Sequence, residues 1–336
     1  MIETGSILEL LSNPKDIVIF SHRNPDGDAI GSSLALQQIL QKQFHNCKIV
    51  IPSEFPDELA FLKGTDDIII YDKTPEKALD TISAAGLFFC LDFNSLSRID
   101  KCGEKALSMA KPFITIDHHL YPEEYSNILI SETAISSTCE LLFQFVKAMK
   151  WSQYLDTNIL ESILTGIITD TGSFSYGVHP STFGNVNEII NMGADIVYVQ
   201  DKLNNQKKES QIRLLGHCLA NRMRIWNEAK AGMIYLTKHD YTHFNILRGD
   251  TEGIVNYLLK LKDVNLAAFI MEQPGIIKIS LRSKGNFCVE KMAKTYFSGG
   301  GHKNAAGGQS FTSMRNTISL LEQAIEDHKQ EIINSF

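Results

Sequence analysis

Three apolar runs in the first half of the chain each end on acids and imidazoles. DIVIF (16–20) leads into His22-Arg23-Asn24-Pro25-Asp26-Gly27-Asp28, LFFCL (87–91) into Asp92, and PFITI (112–116) into Asp117-His118-His119. A fourth segment, ITDTGSF (168–174), sets Asp170 where a helix should break, at Thr171-Gly172. Each fragment alone has an ordinary reading. Asn24-Pro25-Asp26-Gly27 is a good turn, a strand-end Asp is a common helix cap, and a His-His pair is often just surface. Gathered on one rim, they imply more. Like charges a few ångströms apart repel strongly, so clustered carboxylates must take up protons or share cations. Imidazole and carboxylate donors without thiolates suit Mn²⁺, Fe²⁺, Co²⁺ or Zn²⁺ better than Ca²⁺. His22, Asp26, Asp28, Asp92, His118 and Asp170 are too many for one open catalytic ion and suit two ions sharing a carboxylate.

A second cluster lies near the C-terminus. Ser298-Gly299-Gly300-Gly301-His302 runs into Lys303-Asn304-Ala305-Ala306-Gly307-Gly308. Glycines let backbone N–H groups approach an oxyanion, and His302 adds a polar hand. The plain alternative is a glycine turn between a helix and a strand. Arg282, closing the apolar run 276–282 ahead of Ser283-Lys284, adds a guanidinium fork suited to phosphate. His45, His179, His217, His239, His243 and His328 fall in no cluster, and no direct catalytic part is expected of them.

The first half must position the acidic rim, and its pattern shows how. Short all-apolar runs (16–20, 47–51, 67–71, 87–91, 112–116) alternate with helical stretches (29–44, 75–85, near 101–110), the signature of a parallel sheet covered on both faces. In such a sheet ligands bind beyond the carboxyl ends of the strands, where all three runs carry their acids. From 136 the pattern turns helical. The second half reads as a smaller α+β domain, with strands at 231–236, 265–271 and 276–282, a hairpin at Gln273-Pro274-Gly275, and helices at 251–262, 286–296 and from about 313. The expected fold class is therefore α/β, a catalytic domain at 1–192 joined by a polar helical linker, 193–225, to a substrate-binding domain at 226–336, with the active-site cleft between them.

Composition agrees. The chain has 336 residues, 43% hydrophobic and 21% charged, which excludes a disordered or fibrous protein. No apolar run reaches the roughly 18 residues of a membrane span, and MIETGSILELLSNPKD does not read as a signal peptide. Cys47, Cys90, Cys102, Cys139, Cys218 and Cys288 are scattered without a C-x-x-C pair. They read as reduced packing thiols in a cytoplasmic protein. Residues 1–200 carry a net −13 and residues 201–336 a net +6, within a total of −7. An acidic half suits cations and a basic half an anion, while the total argues against binding long nucleic acid non-specifically.

These residues resemble the motifs of the DHH phosphoesterase superfamily. HRNPDGDAIGS (22–32) is similar to its first motif, the Asp92 segment to its second, Asp117-His118-His119 to its third, TDTGSF (169–174) to its fourth, and GGGHKNAAGG (299–308) to the hallmark of the DHH-associated C-terminal domain. The order is that of the family and spans nearly the whole chain. The nearest subgroup is the bacterial two-domain nanoRNases (oligoribonucleases) that also remove phosphate from 3′-phosphoadenosine 5′-phosphate (pAp). The resemblance implies that His22, Asp26 and Asp92 hold one metal ion, usually Mn²⁺, and that Asp28, Asp92, His118 and Asp170 hold a second. Asp117 would orient its neighbours, and His119 would face the substrate phosphate. Arg282, His302 and the glycines Gly299, Gly300 and Gly301 would grip a second phosphate, and Arg98 sits where the subgroup often has Arg. The implied substrates are short RNA oligonucleotides or pAp, with no long nucleic acid and no membrane as partner; a homodimer is plausible from the family. Two alternatives stand beside this: a phosphodiesterase of linear or cyclic signalling dinucleotides, and a non-catalytic sensor of phosphorylated nucleotides.

Overall fold

A computed structural model describes residues 4–247, 249–301 and 303–335, in two compact units, Met1–Gln206 and Lys207–Phe336. In the first unit the apolar runs become β1 (Asp16–Phe20), β2 (Asn46–Ile51), β3 (Ile69–Ile70), β4 (Leu87–Leu91), β5 (Phe113–Asp117) and β6 (Ile128–Ser131). They form one parallel sheet in the order β3-β2-β1-β4-β5-β6. The helices are α1 (Thr4–Leu10), α2 (Gly27–Lys42), α3 (Pro75–Ala84), α4 (Asp100–Ser108), α5 (Thr138–Ala148), α6 (Thr157–Asp170), α7 (Pro180–Asn191) and α8 (Ile196–Asn204).

Both faces of the sheet are covered, which is why its central strands carry no polar alternation. Ile17, Ile19, Phe89 and Ile114 pack with α2, α5 and α6 on one face. Val18, Phe20, Phe88 and Cys90 pack with Ala78 and Ile82 of α3 and Cys102 and Ala106 of α4 on the other. The strand order reverses between β1 and β4, and connections diverging at such a point leave a crevice at the carboxyl ends of the strands.

The second unit contains α9 (Glu209–Asn221), β7 (Met223–Trp226), β8 (Ala231–Leu236), α10 (Lys238–Phe244), α11 (Asn256–Leu259), β9 (Leu266–Gln273), β10 (Ile276–Ser283), α12 (Val289–Tyr296), β11 (Gly300–Gly301), β12 (Ala305–Ser310), α13 (Met314–Asp327) and α14 (Lys329–Ile333). Its sheet runs β11-β12-β10-β9-β8-β7, antiparallel except for the parallel β8–β9 pair. The expected hairpin joins β9 to β10, with Gly275 at φ 77.

Several expectations change. The stretch 193–225 does not form a separate linker. Val199 of α8 belongs to the core of the first unit, Leu214 and Cys218 of α9 to that of the second, and the division falls between Gln206 and Lys207. Apolar residues at helical spacing inside a polar stretch gave each helix a core to join. The run 67–71 shrinks to Ile69–Ile70 because Thr65–Asp67 closes a 3₁₀ turn, and the helix expected at 251–262 shortens to Asn256–Leu259. Among the described residues, no helix is long and apolar enough to cross a membrane.

Candidate metal centre

The exit of β1 supplies three donors. Ser21 Oγ donates to the Leu91 carbonyl at 3.0 Å, tying the ends of β1 and β4 together. His22 is buried, and its Nδ1 lies 2.9 Å from the Arg23 carbonyl. A carbonyl only accepts, so Nδ1 carries the proton and Nε2 keeps its lone pair. That Nε2 lies 3.4 Å from Asp92 Oδ2. Asp26 is the N-cap of α2; its Oδ1 accepts from the N–H groups of Asp28 and Ala29 at 3.0 and 3.1 Å. One turn of helix thus holds both Asp26 and Asp28.

Asp28 is seated on a second helix. Its Oδ2 accepts from Thr138 N–H at 2.7 Å and its Oδ1 from Cys139 N–H at 2.8 Å, so the first amides of α5 receive a carboxylate. The fit demands a glycine on α6. A Cβ on Gly166 would lie 2.6 Å from Asp28 Oδ1 and 2.2 Å from Cys139 Sγ.

Asp92 leaves β4 with φ 65, a left-handed conformation uncommon for a non-glycine residue and typical of functional sites. Its Oδ1 accepts from Thr138 Oγ1 at 3.0 Å and lies 3.7 Å from both His118 Nε2 and His119 Nδ1, while its Oδ2 faces His22. At the end of β5, Asp117 Oδ1 accepts from His119 Nδ1 at 2.7 Å. Asp117 is fully buried, and its Oδ2 has no hydrogen-bond partner among the described residues. His118 Nε2 lies 3.3 Å from Asp170 Oδ2 and 4.0 Å from Asp28 Oδ2. Asp170 is the last residue of α6, against the favoured sign of the helix dipole. Gly172, Ser173 and Phe174 follow with φ of 53, 54 and 65, which turns the chain sharply away.

The six sequence-predicted donors therefore meet. Donor atoms of His22, Asp26 and Asp92 lie within 4.8 Å of one another, as do those of Asp28, His118 and Asp170, and those of Asp92, His118 and His119. Burial, and then the neighbouring acids, push the Asp92 carboxyl well above the carboxylate range. Asp170 is pushed up to about 9 for the same reasons. Burial raises Asp28 too, outweighing His118 and the α5 amides. Burial lowers His22 despite Asp26 nearby, keeping the neutral, ligating form. Buried acids that cannot all ionise, set among imidazole nitrogens at separations usual between ligands of one ion, fit divalent cations.

Other predicted residues fall elsewhere. The Arg98 carbonyl accepts from Arg23 N–H at 2.8 Å, and the Arg98 charge reaches His22. Arg282 is the penultimate residue of β10 in the second unit, with Nη1 donating to the Leu281 carbonyl. Gly300 and Gly301 form β11 against β12, and a Cβ on Gly299 would lie 2.0 Å from the Gly307 carbonyl oxygen, so this glycine has a packing reason. His302 lies outside the described residues. Sequence reasoning missed Thr138, Cys139 and Glu140, whose only signal is the cap-like spacing Ser137-x-x-Glu140.

The DHH family N-terminal domain matches residues 16–167, and the DHHA1 domain matches residues 232–333. The chain belongs to the DHH family. All six donors of this DHH protein except Asp170 fall inside the first match. An exopolyphosphatase-related protein from Bacteroides fragilis, known by crystal structure, is 38% identical, covers 98% of this chain and 97% of its own, and superposes with a TM-score of 0.95. The bifunctional oligoribonuclease and PAP phosphatase NrnA of Bacillus subtilis (strain 168) is 25% identical over 96% of this chain and 99% of its own length. The cyclic-di-AMP phosphodiesterase PdeA of Listeria monocytogenes serotype 1/2a (strain 10403S) is 26% identical over 90% of this chain. The DHH chain spans about half the length of the cyclic-di-AMP phosphodiesterases it matches.

Proposed function

We propose that this DHH family member is a two-metal phosphoesterase that hydrolyses short oligoribonucleotides and pAp. Asp92 carries the reading: one carboxylate oxygen faces His22, and the other faces His118. His22, Asp26 and Asp92 would hold one ion, and Asp28, Asp92, His118 and Asp170 the other, with Mn²⁺ as the native metal. Bound there, two divalent ions supply a nucleophile at neutral pH and Lewis-acid stabilisation of the phosphoryl oxygens. Asp117 fixes the ring of His119 through Nδ1. We assign His119 Nε2 to a phosphate oxygen or to the departing oxygen, where an imidazole can donate a proton. Arg98 adds positive charge beside His22. Arg282, Gly299, Gly300, Gly301 and His302 are assigned to a second phosphate of the substrate, making residues 207–336 the substrate-binding unit. Near-complete mutual coverage with NrnA favours nanoRNA and pAp. Five buried thiols, Cys47, Cys90, Cys102, Cys139 and Cys218, with no disulfide formed, support a cytoplasmic setting.

A second reading, hydrolysis of cyclic or linear adenine dinucleotides, draws on the equal similarity to PdeA. One assay separates the two. The protein is incubated with Mn²⁺ or chelator and pAp, a ladder of two- to five-nucleotide RNAs, cyclic-di-AMP and its linear product, with Asp92→Asn as control. Mn²⁺-dependent turnover of pAp and the shortest RNAs, lost in Asp92→Asn, is expected. Turnover confined to the adenine signalling dinucleotides would establish the second reading, and turnover indifferent to chelator would end both.

A further inference from the structure

Glu140 lies in the first turn of α5, fully buried. A buried carboxylate is costly unless its hydrogen bonds are met, and four donors meet these. Oε2 accepts from Ser136 N–H at 3.2 Å, from Ser136 Oγ, and from Thr182 Oγ1 at 2.8 Å; Oε1 accepts from Asn185 Nδ2 at 2.8 Å. A plain capping box would send this side chain to the N–H of the N-cap, Ser137. It reaches one residue further back and takes hold of α7 as well, through Thr182 and Asn185. Ser137 Oγ completes the grip by accepting from Glu140 N–H at 3.0 Å.

What this clamp holds decides its meaning. The next groups along the same turn all bind acids assigned to metal: Thr138 N–H and Cys139 N–H donate to Asp28, and Thr138 Oγ1 donates to Asp92. We infer that Glu140 is a positioning residue of the metal centre, fixing the 136–139 turn that aims Asp28 and Asp92, with α7 as its strut. The inference rests on the two-metal reading above. Glu140 touches no metal donor itself. Its effect should be largest on the ion of Asp28, His118 and Asp170, because Asp28 takes two bonds from the clamped turn and the other ion's ligands His22 and Asp26 take none.

Titration calorimetry with Mn²⁺, alongside circular-dichroism melts in chelator, tests this on the full chain. Glu140→Gln sets an amide N–H against groups that are already donors. Thr182→Val removes one donor to Glu140, and with it the acceptor of the His179 N–H, while keeping the shape, and it carries the test alone if Glu140→Gln does not fold. Two Mn²⁺ sites are expected in the unaltered protein. In Glu140→Gln one site should weaken by about 10–100-fold and the other by clearly less, and Thr182→Val should follow in the same direction to a smaller extent. A lowered melting temperature with both affinities unchanged would overturn the inference, as would equal weakening of both sites. An unaltered protein that binds no Mn²⁺ would instead overturn the two-metal reading on which the inference stands.

Discussion

Asp170 shows what the site asks of a single side chain. In the metal-free protein its carboxyl is pushed up to about 9, against 3.8 for a free aspartate. A group whose folded pKa is raised binds more protons folded than unfolded, so the stability it contributes is lost as pH rises toward the folded value. Between pH 7 and 9, above the range where lowered His22 matters, the metal-free protein should therefore lose melting temperature with rising pH. Buried thiols such as Cys47 and Cys90, raised by burial, act in the same direction near the top of that window. The decisive comparison is Asp170→Asn, expected to lessen the slope in chelator, with Asp92 and Asp28, also raised by burial, supplying what remains; an unchanged slope would count against the raised carboxyl. Residue by residue, His22, Asp26, Asp28, Asp92, His118 and Asp170 are legible in the sequence because each follows an apolar run or ends a helix. Thr138 and Glu140 are not, since a Thr and a Glu at a helix start are ordinary caps until folding brings them to residues 28, 92, 182 and 185.

Between elements, the close approach of α2, α5 and α6 decides where the donors sit. Gly166→Ala tests it against Gly184→Ala, on α7, where an added Cβ would meet nothing within 4 Å. Both exchanges should gain up to about 1 kcal/mol of helix propensity. At 166 the methyl collides with Asp28 and Cys139, and overpacking of this kind costs about 1–3 kcal/mol. Denaturant unfolding should show Gly184→Ala stabilised and Gly166→Ala destabilised, the latter with weaker Mn²⁺ binding; stabilisation of both would mean that the helices have room to part. The sequence showed β1, β4 and β5 plainly because burial on both faces leaves an uninterrupted apolar run. It concealed β12, whose AAGGQS consists of small and polar residues. It also concealed β6, a half-exposed strand at the sheet edge, and β7, which is likewise an edge strand and has no fully buried residue.

At the scale of the whole chain, each unit has its own hydrophobic cores, and every proposed metal donor lies between residues 22 and 170. A ligand that binds only the folded form stabilises it by about 2.7 kcal/mol at a hundredfold excess over Kd. Scanning calorimetry should show Mn²⁺ raising the unfolding transition of residues 4–206 while that of the second unit stays within about a degree. Equal shifts in both, or in neither, would refute a site confined to the first unit. The interior of α2 is buried almost from end to end, Gly27 through Leu40 with Gln38 the exception, and its opening turn carries Asp26 and Asp28. A rod wedged on every side has no local play, so those two acids inherit their spacing from oily contacts such as Ile39, about three helical turns away. The bite of the proposed cation cage is thus set in the protein's driest interior, and drift in the core sequence would be felt first as a change in ion preference at the rim.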